Sequence, residues 1–286
     1  MARVETEPDQ ETRDRSFGRV HIIEPKSDHT HTALMLHGRG SNGEEFAEEI
    51  LESKLSDGCS LYEKLPGCRW VFPSSGTLWS AAFQEDIPAW FEAHSLTDIT
   101  ERQDLQASGI KDSVNYIIGI INDEASRLDG NTHRLVLGGI SQGGAVALWT
   151  LLCQRNSAIR PGAVVVASTW LPFAGNIERA LAGWQAPDSL QEAESDAFVE
   201  QMMAVKTSRG MDDGGQDSRR LPPVFIGHGI DDAYVDVTLG RQAAHVLSQA
   251  GLQVEWKEYS GAELEGHWFK VPEEIDDIHR FLARVG

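Results

Sequence analysis

The sequence predicts an α/β fold: a mostly parallel central sheet with helices on both faces, and a helical insertion ahead of the strand that carries a candidate acid. Three observations support this. Short uninterrupted apolar runs such as "TALMLHG", "GAVVVAS" and "PPVFIGHG" recur along the chain, as expected for strands covered on both sides. Amphipathic stretches of helical period separate them, which is the signature of βαβ units. Glycine-rich turns follow several of the runs, at the strand ends where an open parallel sheet carries its function.

The elements follow in order. Residues 1–17 are polar and of mixed charge and read as a flexible tail, leaving one domain over 18–286. "RVHIIEP" and "TALMLHG" are strands. "RGSNGEEFAEEILESKL" opens with a Gly/Ser/Asn turn and becomes a helix whose Phe46, Ile50 and Leu51 share a face. "CRWVFP" is a strand, and 74–96 reads as an aromatic-rich loop. A long helix follows from Asp104 to Leu128, with Ile110, Val114, Ile117 and Ile121 at helical spacing. Then come strand "HRLVLGG", helix "QGGAVALWTLLCQ" and strand "GAVVVAS". Strand "PPVFIGHG", helix "TLGRQAAHVLSQAG", strand "LQVEWKEY" and helix "PEEIDDIHRFLARV" complete the chain. The stretch 174–221 breaks the alternation and reads as a cap-like insertion. It holds an amphipathic helix with Leu190, Ala193, Ala197, Phe198, Met202 and Val205 on its apolar face, then a flexible loop.

Composition narrows the function. A net charge of −19 makes nucleic acid and anionic membrane poor partners, because each phosphate contact wants Lys or Arg. The three cysteines, Cys59, Cys68 and Cys153, fit no zinc spacing and read as free thiols of a reducing compartment. The N-terminus lacks the apolar segment of a secretory signal, and no apolar run reaches the roughly 20 residues that span a bilayer. A cytoplasmic protein is expected, without metal or cofactor. His29 and His31 have no further ligand cluster beside them.

The chemistry centres on Gly139-Ile140-Ser141-Gln142-Gly143, a G-x-S-x-G pattern between an expected strand and an expected helix. Such a turn holds the serine in a strained backbone conformation, above the sheet and at a helix N-terminus where negative charge is favoured. A serine needs a base and a group to orient that base. In this architecture the order is Ser, acid, His, each on a loop after a strand. His267 follows the last strand and fits the base, whereas His279 falls inside the last helix. Asp231 and Asp232 both follow "PVFIGHG", and spacing does not separate them. One oxyanion donor is the backbone N–H of Gln142, and the other belongs to the loop "LHGRGSNG". His37, at that strand's end, suits a structural hydrogen bond better than catalysis.

Together, "LMLHGRGSNGEEF", "PAWFE", "GGISQGGAVAL", "HGIDDAYV" and "GHWF" resemble the phospholipase/carboxylesterase family, which includes the acyl-protein thioesterases. The resemblance implies an α/β-hydrolase fold and a cytosolic serine esterase or thioesterase acting on acyl chains. It also implies Asp232 as the acid and the N–H of Arg39 as the second oxyanion donor. The chain departs from the family pattern at Arg39 (usually Leu), Glu92 (usually Asp), Ala233 (usually Pro) and the 174–221 insertion.

The expected protein is therefore a serine hydrolase of carboxylic esters or thioesters working through an acyl-enzyme, with catalytic Ser141, Asp232 and His267 and an oxyanion hole from Arg39 and Gln142. Trp79, Trp90, Phe91, Phe198 and Met202 are candidate apolar walls for the acyl group. Substrates would be small-molecule or lipid-like acyl esters and thioesters, with acylated proteins as a further class. Two other readings use the same scaffold: acyl transfer or cyclisation on a specialised metabolite, and a binding module on an inactive hydrolase frame, against which the complete Ser/Asp/His set argues.

Overall fold

In the computed structural model of the protein, which describes residues 16–80, 84–95, 98, 101–155, 157, 159–183, 189–203 and 221–285, apolar strands assemble into a seven-stranded sheet. They are β1 (His21–Ile23), β2 (His31–Leu36), β3 (Cys68–Phe72), β6 (Leu135–Ile140), β7 (Ala163–Ala167), β8 (Val224–Gly229) and β9 (Val254–Tyr259). Their spatial order is β1-β3-β2-β6-β7-β8-β9. Only β1 runs antiparallel to its neighbour; the other pairs are parallel. A separate antiparallel hairpin, β4 (Gly76–Ser80) with β5 (Glu85–Ala89), occupies part of the stretch that reads as a loop in the sequence.

The pleat explains the apolar runs. Successive strand residues point to opposite faces, and both faces are covered. Val164 and Val166 of β7 enter one core with Leu34 and Leu36 of β2, while Val165 and Ala167 enter the other with Ala33 and Met35. The first core is closed by α3 (Asp104–Arg127), α4 (Ser141–Gln154) and α7 (Val237–Gln249), the second by α1 (Gly43–Glu52), the short α2 (Leu61–Lys64) and α8 (Glu273–Val285). Ile110, Val114, Ile117 and Ile121 form the buried stripe of α3. Every residue of α4 is buried, as expected of a helix that is apolar all round. Helix α1 starts at Asn42, whose side chain accepts from the N–H groups of Glu44 and Glu45, both at 3.0 Å.

Most of the expected tail (1–15) lies outside the described residues, as do 184–188 and 204–220 of the expected insertion. Phe17, placed in the tail by the sequence reading, stacks on Tyr116 with ring centroids 4.0 Å apart. The insertion contributes α5 (Ala174–Ala182) and α6 (Leu190–Met203), and α6 packs against α5 and α3. The buried face of α6 shares Met202 with the one its periodicity predicts, and Phe198 is partly buried, but it turns away from Leu190 and Ala197. Leu190 is 86% exposed, and the buried set is Ser195, Asp196, Val199, Met202 and Met203. The reason is polar. Asp196 accepts from Asn176 and Arg179, each at 2.7 Å, and Ser195 lies 3.4 Å from the amide nitrogen of Gln103. These bonds turn the helix toward α5 by a face that hydrophobicity alone does not mark.

One buried acid bears on stability. The side chain of Glu274, at the start of α8, accepts from the N–H of Lys270 at 2.8 Å and abuts the backbone of Gly227. Burial pushes its pKa up to about 8, against the opposing Lys270 hydrogen bond. A carboxyl protonated in the folded state but ionised in the unfolded one makes the folded state bind more protons. Stability is then greatest below the unfolded pKa and falls as pH rises toward 8. Glu274→Gln should flatten this dependence. Urea melts at pH 5 and pH 8 should show wild type losing roughly 1 kcal/mol more per pH unit than the variant; equal slopes would contradict the assignment.

Candidate active site

Ser141 sits where β6, in the middle of the sheet, turns into α4, and its φ of 54° lies in the left-handed region. The surrounding glycines let three backbones converge there. A Cβ on Gly143 would lie 2.3 Å from the carbonyl oxygen of Leu36 and 2.4 Å from that of His37; one on Gly139 would lie 2.7 Å from the Gly143 carbonyl carbon. Helix α4 can therefore press against the end of β2 only without side chains at these positions. Gly143→Ala should cost about 1–3 kcal/mol or more of stability, because the obstructing atoms are backbone. A variant melting within 1 °C of wild type would refute this contact; the check is thermal unfolding. Thr169 braces the same turn by donating its hydroxyl to the Ser141 carbonyl at 2.7 Å.

The acid and the histidine come from neighbouring strands. β8 and β9 pair in parallel as far as Gly229 and Tyr259, so the loops after them leave the sheet side by side. Gly266, at φ 85°, lies against the Asp231–Asp232 peptide, where a Cβ would lie 2.7 Å from the Asp231 carbonyl carbon. This contact brings Asp232 and His267 together. His267 Nδ1 lies 2.8 Å from Asp232 Oδ2 and 3.0 Å from Oδ1. A carboxylate only accepts, so Nδ1 carries the hydrogen and Nε2 is left with its lone pair. The Asp232 side chain is fully buried, and Oδ1 also accepts from the N–H groups of Tyr234 and Val235, each at 2.9 Å. Burial alone would push its pKa up. The hydrogen bond and charge of His267, with the two backbone donors, outweigh that and hold it below the ordinary aspartate value. Asp231 faces elsewhere and accepts from the N–H of Gly261 at 2.8 Å.

A residue the sequence reading did not single out supports this pair. His228 is wholly buried, and its Nε2 donates to the Val235 carbonyl at 2.9 Å while lying 3.5 Å from Asp232 Oδ2. Burial pushes its pKa down, so the ring is neutral. The available signal was the histidine placed directly before the glycine that ends β8.

The loop after β2 lies against the serine. A Cβ on Gly38 would lie 3.5 Å from the Ser141 Cβ. His37 is buried; its Nε2 accepts from the N–H of Ser75 at 2.9 Å and its Nδ1 donates to the Gly38 carbonyl at 2.6 Å. Burial pushes its pKa down to about 4, in keeping with a structural hydrogen-bond role. The Arg39 guanidinium donates to the Ala93 carbonyl at 3.2 Å and to the Ser80 hydroxyl at 3.0 Å, tying the hairpin to this loop.

The candidate wall residues separate. Trp79 is 55% exposed on β4, and Phe198 is partly buried, packing on Trp149 and Phe173 with centroids at 5.3 and 4.6 Å. Trp90, Phe91 and Met202 are buried in the core. With no exposed surface, Trp90 and Phe91 act in the structure as packing and hydrogen-bonding groups. His29 and His31, which the sequence offers as a weak metal pair, bond to the hydroxyls of Thr32 and Thr30.

Comparison with known proteins bears on the family and the fold. The sequence profile of the phospholipase/carboxylesterase family matches residues 18–219. A protein named acyl-protein thioesterase 1 from Gibberella zeae is 26% identical over 278 residues, covering 94% of this chain and 97% of its own length. One of the same name from Yarrowia lipolytica is 30% identical over 263 residues, covering 91% and 94%. Among solved structures, Zea mays acyl-protein thioesterase 2 shares the fold with a TM-score of 0.61 at 24% identity, covering 94% of this chain and all of its own. Arabidopsis thaliana SOBER1 does so with a TM-score of 0.62 at 23% identity, covering 90% and 99%. The profile match, the full-length relatives and the doubly covered parallel sheet together establish that the chain belongs to the phospholipase/carboxylesterase family of α/β-hydrolases.

Proposed function

We propose that the protein is a serine hydrolase that cleaves carboxylic esters or thioesters of acyl substrates through an acyl-enzyme. Family membership, and relatives named as thioesterases and carboxylesterases, indicate a hydrolase of the esterase or thioesterase type. The observation that carries the finer reading is the short His267–Asp232 bond on the loops after β8 and β9, with Ser141 in a left-handed strand-to-helix turn on the same sheet. In this reading His267 Nε2 takes the proton as the Ser141 oxygen attacks the acyl carbon, then returns it to the leaving alcohol or thiol. Asp232 holds the imidazole in the required tautomer and stabilises the imidazolium. The backbone N–H groups of Gln142 and Arg39 bind the oxyanion. Water then attacks the acyl-enzyme by the same route.

Substrates are acyl esters and thioesters, including those on protein side chains. Trp79 and Phe198 are the candidate wall residues that keep surface for an acyl chain. The three cysteines are free, and a cytoplasmic setting is part of this proposal. Among the described residues, no helix is long and apolar enough to cross a membrane. The test is a chain-length series of acyl esters and thioesters in ¹⁸O-water. Release of the free acid with one ¹⁸O supports hydrolysis; a new ester or ring without solvent oxygen would overturn it in favour of acyl transfer.

A further inference from the structure

The segment Pro88–Ala93, which leaves β5 and passes beside the site, is bound on several sides. The N–H of Gly40 donates to the Pro88 carbonyl at 2.8 Å. The Trp90 indole N–H donates to the His37 carbonyl at 2.8 Å, and the Arg39 guanidinium reaches the Ala93 carbonyl at 3.2 Å. From α3, the Ser113 hydroxyl donates to the Trp90 carbonyl at 2.5 Å. Two further bonds belong to one side chain. Gln142 Oε1 accepts from the Trp90 N–H and Gln142 Nε2 donates to the Phe91 carbonyl, both at 2.7 Å. Gln142 is fully buried, as are Trp90 and Phe91, so neither backbone group has water as a substitute partner. The strap thus bonds to the residue after the serine on one side and to His37, Arg39 and Gly40 on the other.

We infer that the side-chain amide of Gln142 is a positioning residue: it registers the Pro88–Ala93 strap between α4 and the loop after β2, and so holds the two oxyanion donors, the Gln142 and Arg39 N–H groups, in one fixed relation. The inference rests on the serine-hydrolase reading above. It explains the residue type. The strap presents a donor at Trp90 and an acceptor at Phe91, and a primary amide of this length answers both at once. Glutamate answers one, methionine neither, and asparagine is a methylene shorter. An oxyanion hole works through donors fixed before charge develops, so a loosened strap affects the transition state more than ground-state binding.

The test uses the full-length protein with Gln142→Met and Gln142→Glu, a short-chain aryl ester, and a trifluoromethyl ketone whose adduct carries an oxyanion. Gln142→Met should lower kcat roughly 10- to 100-fold, short of the 10²–10³ typical of a deleted donor, with KM changed less than about 3-fold. Its affinity for the ketone should fall in step with kcat. For Gln142→Glu, kcat relative to wild type should rise as pH falls, because the protonated carboxyl regains a donor for the Phe91 carbonyl; dividing by wild type removes the pH dependence common to both proteins. If Gln142→Met does not fold, this ratio alone decides. Unchanged kcat and ketone affinity in a folded Gln142→Met, or a flat ratio for Gln142→Glu, overturns the inference. Wild-type turnover that survives Ser141→Ala would instead overturn the parent reading, so the two failures are distinguishable.

Discussion

Ser141→Ala is expected to lower kcat for ester hydrolysis by about 10⁴-fold or more while the protein stays folded. The side chain removed is one hydroxyl in a turn whose shape is set elsewhere. The turn is held by the close approach of Gly139 and Gly143 to β2 and by the Thr169 bond to the Ser141 carbonyl, none of which involves the hydroxyl. Alanine keeps the Cβ and tolerates the left-handed φ about as well as serine, so the melting temperature should move little. What disappears is the nucleophile that forms the acyl-enzyme; residual rate would come from oxyanion stabilisation and binding alone. Steady-state turnover of an aryl ester beside a thermal melt measures both. Activity near wild type would remove Ser141 from the mechanism.

Asp232→Asn should cost about 10⁴-fold in kcat with a smaller change in KM. The amide oxygen can still accept from the N–H groups of Tyr234 and Val235, which now meet Oδ1, so the loop should keep its shape. The amide nitrogen then faces His267 Nδ1. A donor there favours the tautomer with hydrogen on Nε2, which is the atom that must accept the serine proton. The imidazolium also loses its buried counter-charge. The same charge links the site to stability. With its pKa held below the ordinary aspartate value, Asp232 contributes stability that is present above the unfolded pKa and is lost as pH falls through the folded one. The variant should therefore lose less stability than wild type on acidification. Kinetics at pH 7–8 with acid titration of both proteins checks the two parts; an asparagine variant within 10-fold of wild type would contradict the role.

Much of this site is legible in the sequence because its parts are backbone devices with strong local signatures. A strand run, a glycine pair, a serine and another glycine pair leave little freedom once β6 and α4 are recognised. The Ser, Asp, His order follows from one loop per strand. Choosing Asp232 over Asp231 needed family resemblance, and the structure shows why spacing could not do it. Both residues leave the same strand, and only the approach of Gly266 decides which carboxyl meets His267. The β4–β5 hairpin was not legible. It stands outside the main sheet, and Pro88 within β5 weakens its strand signal. The sequence reading proposes Arg39 and Gln142 as backbone donors; the reach of their side chains to the strap is tertiary and leaves no local pattern. The apolar stripe marks helix α6 and its Met202 end, but not the Asp196 side of its buried face, where Asn176 and Arg179 bind it with hydrogen bonds that a stripe does not encode.

The central claim is a covalent one, and rapid-quench mass spectrometry tests it directly. Mixing the protein with excess aryl ester and quenching in acid within milliseconds should trap the acyl group on the peptide containing Ser141, and the trapped fraction should match any burst of released phenol. Product formation with that peptide unmodified at every quench time, in a mixture where a slowly deacylating ester or a fluorophosphonate also fails to label it, would contradict the account.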